Sequence, residues 1–469
     1  MTKQTRYTIR VALIVALGGF LMGFDASVIS GVVGFIGPEF DLTNIQVGWA
    51  VASLTLTSTL AMMMAGPLSD RYGRKPVLKA AAILFTLSAI ASAIAPDYLT
   101  LVIARMLGGF GVGAALIIAP MYIAEIAPAD VRGRMVSFNQ LNIVIGISVA
   151  YFSNYLILSL GQSELAWAQA MNLGEWNWRW MLGVEALPAI LYFFALFSVP
   201  ESPRWLVMHN QADRALEILE RVSGKTQAKD VMAAVQESLD AEVNKEKGTF
   251  KELFLPAMRL VLTIGIVIAI LQQITGINSV FFYAPMIFEQ SGIGTDASFM
   301  QAVLVGIVNV VATIVAIMLI DKLGRRPLLI SGLVIIATSM LLLAYSFGSA
   351  NIGPGGELTD MNPTLILIGI LSFVAGFGIS LGPVMWVLFS ELFPNRIRGI
   401  AISFCGLINS SVSFIVQLVF PWELENFGPS MTFLIYGSFA IIGLIFVLRI
   451  LPETKGRSLE ELQLELASK

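Results

Sequence analysis

A carboxylate inside a long apolar run is the first candidate for chemistry in this sequence. Asp25 lies in the apolar residues 9–35, and a charged side chain at the bilayer centre costs about 2.5–3.5 kcal/mol on insertion scales. Arg105, in another apolar run, is its natural partner. Burial favours the neutral carboxyl, and a nearby guanidinium favours the ionised one. A pair that separates and rejoins would take up and release a proton, with Glu185 as a second candidate on that path. A static structural ion pair is the alternative.

Charged motifs between the apolar runs occur once in each half of the chain. The repeated motifs are D-R-Y-G-R-K and D-K-L-G-R-R (70–75 and 321–326), E-x-x-P-x-x-x-R-G (125–133 and 391–399), and P-E-S and P-E-T (200–202 and 452–454). Acids and bases at matching positions predict ion pairs, and a surface pair is worth only about 0–1 kcal/mol. Weak pairs suit a gate that must open; charges that only set topology are the alternative. The candidate gate residues are Asp70, Arg71, Arg74, Glu125, Arg132, Glu201, Arg204, Asp321, Arg325, Arg326, Glu391, Arg398 and Glu453.

The elements that must position these residues are membrane helices. Of the 469 residues, 56% are hydrophobic and 13% are charged, against about 25% charged in soluble proteins. A helix crosses the bilayer with about 20 apolar residues, and barrel strands would alternate in polarity. The sequence predicts an all-α membrane protein of twelve spans: 9–35, 46–66, 77–95, 98–124, 135–160, 178–199, 257–290, 298–320, 326–348, 363–391, 398–424 and 427–450.

The repeat and the polar stretches predict the domain organisation. We expect an N-terminal six-helix bundle (1–200), a cytoplasmic linker (201–256), a C-terminal six-helix bundle (257–452) and a cytoplasmic tail (453–469). In the linker, 214–222 and 228–243 have helical apolar spacing with charged faces. These short helices are either a latch beside the gate or a solvated connection. Duplicated halves in a membrane are the architecture of a transporter.

Loop charge predicts the orientation. Basic residues precede the first span and follow the second, fourth, eighth and tenth, whereas the alternate loops are acidic or neutral. By the positive-inside rule both termini are cytoplasmic, in a cell inner membrane. The start has no small-residue cleavage site, so the first span is expected to stay as a helix.

Several enzyme and pump classes are disfavoured. The glycine-rich segment 108–113 follows no predicted strand, so close helix packing explains it better than phosphate binding. His209 is the only histidine and Cys405 the only cysteine, and we expect both to be structural or surface residues. Without a nucleophile–base arrangement or a lysine-bearing P-loop, we expect no enzyme, no ATP-driven pump, no cofactor, no metal and no nucleic-acid partner.

The motifs carry a family resemblance over nearly the whole chain. Besides the repeats above, they include P-E-S-P-R-W at 200–205, Q-Q-I-T-G-I-N at 272–278, G-P-V-M-W at 382–386 and P-E-T-K-G at 452–456. In order and in the correct halves, they resemble the sugar porter branch of the major facilitator superfamily. G-F-D-A-S-V-I-S-G in the first span and S-F-N-Q in the fifth are most similar to bacterial proton-coupled monosaccharide symporters of the D-xylose type. The resemblance pairs the positions of Asp25 and Arg105.

The resemblance implies a sugar site built from amides, whose donors and acceptors match hydroxyl groups without a trapping charge. The implied substrate-binding amides are Gln140, Gln272, Gln273, Asn278, Asn309 and Asn409. An ideal helix would not align Asn278 with Gln272 and Gln273, so we expect a break at Gly276. Trp386, after a break predicted at Gly382–Pro383, would cover the apolar face of the sugar, with Phe20, Phe24 and Phe282 completing the wall. Phe282 replaces a tyrosine of many relatives, and Ser410 a tryptophan of some.

These expectations combine into one function. The chain is expected to carry a monosaccharide and a proton together by alternating access, in contact with the lipid bilayer and with no obligate protein partner. A proton-independent uniporter with the same site, and a non-transporting membrane sugar sensor, are the alternatives. The sequence leaves open which sugar or polyol binds.

Overall fold

The computed structural model describes residues 3–128, 131–244, 249–349, 351–352, 358–359, 361–394 and 396–455. The predicted tail therefore lies outside the described residues from 456 onward. The helices are α1 (Lys3–Val28), α2 (Val33–Glu39), α3 (Asn44–Tyr72), α4 (Arg74–Ala93), α5 (Tyr98–Ile126), α6 (Arg132–Gly161), α7 (Ala166–Ala170), α8 (Asn177–Gly183), α9 (Ala186–Ala195), α10 (Pro203–Met208), α11 (Ala212–Ser223), α12 (Lys225–Asn244), α13 (Arg259–Ile274), α14 (Ile277–Glu289), α15 (Thr295–Leu323), α16 (Arg325–Gly348), α17 (Pro363–Ile379), α18 (Leu381–Leu392), α19 (Arg398–Asn426) and α20 (Gly428–Arg449).

The described residues also form shorter elements. Four 3-10 turns cover Ile29–Gly31, Leu196–Ser198, Phe250–Phe254 and Pro256–Met258. Strands β1 (Asn351–Ile352) and β2 (Leu358–Thr359) form one antiparallel pair.

Within the described ranges, twelve helical segments are long and apolar enough to cross a membrane. They confirm the predicted all-α class and the number of spans. In order, the spans are α1, α3, α4, α5, α6, α8–α9, α13–α14, α15, α16, α17–α18, α19 and α20.

The turns that join neighbouring spans follow from local chemistry. Gly73 and Gly324 have φ values of 104° and 93°, and each separates two helices at equivalent places in the repeat. Only glycine adopts this backbone conformation without strain. At Asp97, the side chain accepts a hydrogen bond from the Thr100 N–H and caps the fourth span.

Contacts divide the chain into two compact units. The first comprises residues 1–29, 53–153 and 160–245, and the second comprises 30–52, 154–159 and 246–469. The second unit therefore takes in α2 and the beginning of α3. The boundaries predicted at 200 and 257 stay a prediction.

Small residues set the helix packing in the first unit. A Cβ at Gly109 or Gly113 of α5 would overlap the α3 backbone at Leu54 or Ser58. The predicted role of the glycine-rich segment in close packing is confirmed.

The linker helices form an ordered part of the first unit. α11 and α12 cover the two segments predicted as amphipathic helices, and Leu206, Leu219 and Met232 join their small apolar core. Val222 of α11 belongs to the main core of the first unit. The linker is docked there rather than solvated on all sides.

Candidate functional site

The first component of the site is a buried ion pair in the first unit. Asp25 lies in the last turn of α1, and Arg105 lies on α5; each is 1% exposed. Arg105 Nη1 donates to Asp25 Oδ1 at 2.5 Å and to the Asp25 backbone carbonyl at 3.1 Å. The predicted partners therefore meet.

Each partner keeps one buried polar atom unsatisfied among the described residues. These atoms are Asp25 Oδ2 and Arg105 Nε. Glu185, 2% exposed, lies close enough to interact electrostatically with both partners, and its Oε1 is also without a hydrogen bond in the described structure. A Cβ at Gly108 would lie 2.6 Å from Asp25 Oδ2, so a glycine there gives the carboxylate its space. The arrangement offers carboxylate oxygens that can accept a proton.

The second component is an amide cluster at a break in the seventh span, within the second unit. α13 ends at Ile274, Gly276 has φ +88° in the left-handed region, and α14 begins at Ile277. The break brings Asn278 back toward the preceding helix, and its Nδ2 donates to Gln273 Oε1 at 2.8 Å. The break predicted at Gly276 is confirmed.

Asn409 of α19 joins the amides of α13. Its Nδ2 donates to Gln272 Oε1 at 2.6 Å, and its Oδ1 accepts from Gln273 Nε2 at 3.2 Å. Gln272, Gln273 and Asn409 are each at most 9% exposed. Four of the six predicted amides therefore form one hydrogen-bonded cluster.

Two further members of the cluster were not predicted. Ser413 Oγ accepts from Asn278 Nδ2 at 2.6 Å and from Gln417 Nε2 at 2.7 Å. With both acceptor positions used, its O–H is the group left to donate. Asn409, Ser413 and Gln417 follow one another at i, i+4 and i+8, so they share a helix face. That spacing was visible in the sequence.

The tenth span breaks earlier than predicted. α17 ends at Ile379, Ser380 has φ −126° and ψ −94°, and α18 begins at Leu381. The predicted break at Gly382–Pro383 is wrong: Pro383 lies in the first turn of α18, where a missing N–H leaves no intrahelical bond unmade. Gln272 Nε2 donates to the Leu381 carbonyl at 3.3 Å, which ties this second break to the amide cluster.

Trp386 lies on a different face of α18 from Met385, the neighbour that contacts the amide cluster. Its side chain is 47% exposed, stands edge-on to Phe389 at 5.9 Å, and lies 3.7 Å from the Cβ position of Gly406. The neighbouring Met385 contacts Asn409, with 3.6 Å between Asn409 Nδ2 and the sulfur. Successive helical residues differ by about 100° in direction, so Met385 and Trp386 face different surroundings.

The other predicted wall and amide residues are described within their own units. Asn309 is 5% exposed, with its Oδ1 3.6 Å from the Cβ position of Gly378. Gln140 is exposed within the first unit. Phe24 is buried there against Phe20, and Phe282 is buried in the second unit.

The first unit contains a charged cluster around Arg74, at the start of the third span. Arg74, 3% exposed, makes a two-pronged contact with Glu125, at 3.0 Å from Nε and 2.9 Å from Nη2. Arg74 Nη1 also donates to Asp70 at 2.9 Å. The Glu201 carboxylate accepts from the backbone N–H of Arg74 at 3.0 Å. Burial raises the pKa of Glu201, so this carboxylate takes a proton at milder acidity than an exposed glutamate.

The same cluster is repeated in the second unit. Arg325 contacts Glu391 at 3.1 Å from Nε and 2.7 Å from Nη2. Glu453 accepts from the backbone N–H groups of Arg325 and Arg326, each at 3.0 Å. Thr454 donates to Glu391, as Ser202 donates to Glu125 in the first unit. The repeated motifs therefore build repeated geometry, each copy within its own unit.

Not every predicted gate residue joins a cluster. Arg71 and Arg132 are exposed, and the Arg71 guanidinium lies 5.2 Å from the Tyr72 ring centroid. Arg398 donates to the Phe393 carbonyl at 3.2 Å instead of to a carboxylate. Arg204 is partly buried, and the side chain of Asp321 lies outside the described residues.

Comparison with known proteins identifies relatives along almost the whole chain. The family model described as "Sugar (and other) transporter" matches residues 11–466. The arabinose-proton symporter of Bacillus subtilis is 37% identical, over 97% of this chain and 94% of that protein. The D-xylose-proton symporter of Escherichia coli is 36% identical, over 98% and 96%. An inward open structure of the xylose transporter XylE from E. coli matches with a TM-score of 0.82 and 35% identity, covering 98% of this chain and 100% of that chain.

Proposed function

The chain belongs to the sugar transporter family, and we propose that it carries a monosaccharide and a proton together across a cell membrane. It has the major facilitator fold and is a multi-pass transporter rather than an enzyme. Relatives named as proton symporters for arabinose and D-xylose support symport over uniport or sensing.

The observation that carries the proposal is the separation of buried charge from neutral amides. The first unit buries Asp25, Arg105 and Glu185, whereas the cluster around Gln273 and Ser413 in the second unit is made of neutral side chains. Proton binding needs a carboxylate that can change charge. Sugar binding needs hydrogen-bond donors and acceptors whose charge does not change.

Proton transfer is assigned to Asp25, with Arg105 modulating it and Glu185 on the same path. In the described state the ion pair is formed and Asp25 Oδ2 lacks a hydrogen bond among the described residues. Moving Arg105 away would remove the cation that favours the ionised carboxyl, so Asp25 would bind a proton. Restoring the pair would release it.

Sugar binding is assigned chiefly to Gln272, Gln273, Asn278 and Asn409, with Ser413 and Gln417 added by the structure. These groups hydrogen-bond to one another, so a ligand hydroxyl can exchange for an internal bond without leaving a buried amide unsatisfied. Asn309, Gln140, Trp386, Phe24 and Phe282 stay as proposed contributors to sugar binding.

The repeated charged clusters are proposed as the gate on the cytoplasmic side. Basic residues concentrate in the loops that carry them, so both termini are assigned to the cytoplasm, in an inner membrane. The two-pronged contacts of Arg74 and Arg325 are its central interactions. Major facilitator halves rock against each other during transport, and breakable ion pairs suit that motion.

Two uptake assays in proteoliposomes, each with a panel of pentoses, hexoses and inositol, test the proposal: counterflow into preloaded vesicles reports sugar exchange, and uptake into sugar-free vesicles reports proton coupling. In sugar-free vesicles, accumulation of one sugar with an imposed pH gradient, and its loss when the gradient is collapsed, is the expected result. Equal accumulation with and without the gradient would leave facilitated diffusion as the function. No counterflow with any sugar would reject transport of this substrate class.

A further inference from the structure

A cavity of about 810 Å³ lies in the first unit beside the charged cluster, and the proposed transport cycle gives it no role. Its charged lining residues are Lys75, Lys79, Arg214 and Arg221, with the carboxylates of Glu201 and Glu217. This basic pocket combines side chains from α4 with side chains from the linker helix α11. Four cations face two carboxylates, so the pocket favours an anion.

The carboxylates of the basic pocket are already engaged. Glu201 accepts from backbone N–H groups of Arg74 and Lys75, and Glu217 pairs with Arg221 at 2.5 Å, so that ion pair is neutral and the net positive charge comes from Lys75, Lys79 and Arg214. Two ammonium groups meet at Phe197, the end of the sixth span: Lys79 Nζ lies 3.3 Å from its ring centroid, and Lys75 Nζ donates to its carbonyl at 3.3 Å. Phe197 is 57% exposed, so these cations lie where an apolar surface meets the polar linker.

An apolar groove continues from the basic pocket. It has a volume of about 360 Å³ and runs between α3, α4 and α5. The two cavities share Tyr72, Pro76 and Ala80. Its other lining residues are aliphatic or aromatic, for example Leu68, Leu84 and Phe110. A basic chamber joined to an apolar groove matches a ligand with a phosphate and a hydrocarbon chain.

The second unit provides an internal comparison. A cavity of about 480 Å³ lies at the repeat-equivalent positions, with Arg326, Pro327 and Glu453 where the first unit has Lys75, Pro76 and Glu201. Ile330 replaces Lys79, and the cations lining this cavity are Arg326 and Lys455. The repeated fold therefore accounts for a cavity at this place. It does not account for Lys79 or for the two arginines of α11.

We propose that the basic pocket binds the phosphate headgroup of an anionic phospholipid, with an acyl chain in the apolar groove. The lipid comes from the cytoplasmic leaflet, which rests on the orientation proposed above. Its phosphate would hold α11 against α4, next to the Arg74–Glu125 contact. Lipid composition would thereby act on the cluster assigned to the gate.

The test titrates phosphatidylglycerol and zwitterionic phosphatidylcholine onto the purified full chain in detergent, with bound lipid counted by native mass spectrometry. One variant carries Lys79→Gln, Arg214→Gln and Arg221→Gln. A charge-matched control carries Lys225→Gln, Lys229→Gln and Lys251→Gln at exposed positions outside the pocket. Each cation near an anionic membrane surface is worth about 1 kcal/mol, or about fivefold in affinity.

We expect one phosphatidylglycerol to bind tightly, and the pocket variant to bind it at least tenfold more weakly than the control. Equal weakening in both triple variants would overturn the site in favour of general charge attraction. Phosphatidylcholine binding as tightly as phosphatidylglycerol would also overturn it.

Two further arms separate a lipid from a free phosphate. Leu84→Trp, at a position that lines only the groove, should fill it and weaken lipid binding without a change of charge, whereas Leu87→Trp, exposed on the same helix outside both cavities, should not. Glycerol phosphate or inorganic phosphate displacing the lipid at equal concentration would show a phosphate site without a chain site, and would reject the proposal. Sugar counterflow, measured in parallel, reports the proposed function independently of lipid binding.

Discussion

Replacing Gly48 with tryptophan should stop the transport cycle while leaving the fold intact. Gly48 lies near the start of α3, and a Cβ there would overlap the carbonyl oxygen of Leu418 on α19. The same two segments meet at Trp49 and Phe414, whose rings are 5.7 Å apart and edge-on. Asn44 also donates to Glu425. From the loop charges, we expect this end of α3 to lie on the membrane side opposite the basic clusters.

The size of the effect follows from the packing. Real Cβ atoms essentially never come within 3.0 Å of another heavy atom in this way, and Leu418 contributes backbone that a rotamer change cannot move. Overpacking costs roughly 1–3 kcal/mol, which corresponds to about 5- to 150-fold in an equilibrium between two states. Gly48→Ala should therefore shift the conformational equilibrium measurably away from the state in which α3 and α19 are in contact, and Gly48→Trp should exclude that state.

A reporter cysteine measures the shift directly. Cys405 is the only cysteine, so Val51→Cys in a Cys405→Ser background gives a single reporter cysteine. Val51 is 2% exposed in the described structure, in which α3 and α19 are in contact. Labelling of this cysteine by a membrane-impermeant maleimide should accelerate in Gly48→Trp, and counterflow should fall to background. Gly66→Trp is the matched control, because a Cβ at Gly66 meets nothing within 4 Å. Unchanged labelling and transport in Gly48→Trp, or equal loss in Gly66→Trp, would refute the reasoning.

Four other substitutions separate the proposed roles. Asp25→Asn should abolish uphill uptake but keep sugar exchange, because the amide cannot release a proton; the pH-gradient assay distinguishes the two. Ser413→Ala should raise the KM for sugar roughly fivefold in counterflow, since losing one hydrogen bond costs about 1 kcal/mol. Arg325→Ala should increase maleimide labelling of a single reporter cysteine placed on the cytoplasmic side, because a contact of the gate is lost. Arg71→Ala, at an exposed position, should change that labelling less than twofold. Gly276→Ala should lower the Tm, because a left-handed backbone strained by a side chain costs about 1–3 kcal/mol.

Each of these predictions has an outcome that contradicts it. Uphill uptake that survives in Asp25→Asn would move the proton site elsewhere, with Glu185 as the next candidate. Ser413→Ala with an unchanged KM would make that hydroxyl a structural bridge between amides. Equal effects of the Arg71 and Arg325 substitutions would remove the distinction between exposed and clustered cations. An unchanged Tm in Gly276→Ala would mean that the backbone at this helix break accommodates a side chain without loss of stability.

Much of the site followed from the sequence because its signals are local or repeated. Asp25 in an apolar run required a partner, and Arg105 is that partner in the structure. Gly276 predicted the break that brings Asn278 to Gln273. Ser413 and Gln417 were not predicted, although they follow Asn409 at helical spacing, because neither lies in one of the motifs that carry the family resemblance.

Helix rotation and the exact place of a break could not be read from the sequence. The motif around Gly382 indicated a break, but the backbone turns at Ser380, because a proline in the first turn is compatible with a helix. The repeated charges all looked alike, yet Arg74 is buried against Glu125 while Arg71 is exposed. One residue of offset decides which face of a helix a side chain occupies.

Twelve spans, an internal duplication, a carboxylate–arginine pair and a set of polar groups for a ligand can all be predicted from the sequence. These are properties of run length, charge and repetition, and the bilayer imposes them on each segment separately. Tertiary structure alone decided which polar groups meet, that Met385 rather than Trp386 contacts Asn409, and that linker arginines complete a basic pocket with Lys79. In a membrane, lipid-facing and protein-facing surfaces are both apolar, so hydrophobicity does not report which face packs inward. Only the contacts between helices do.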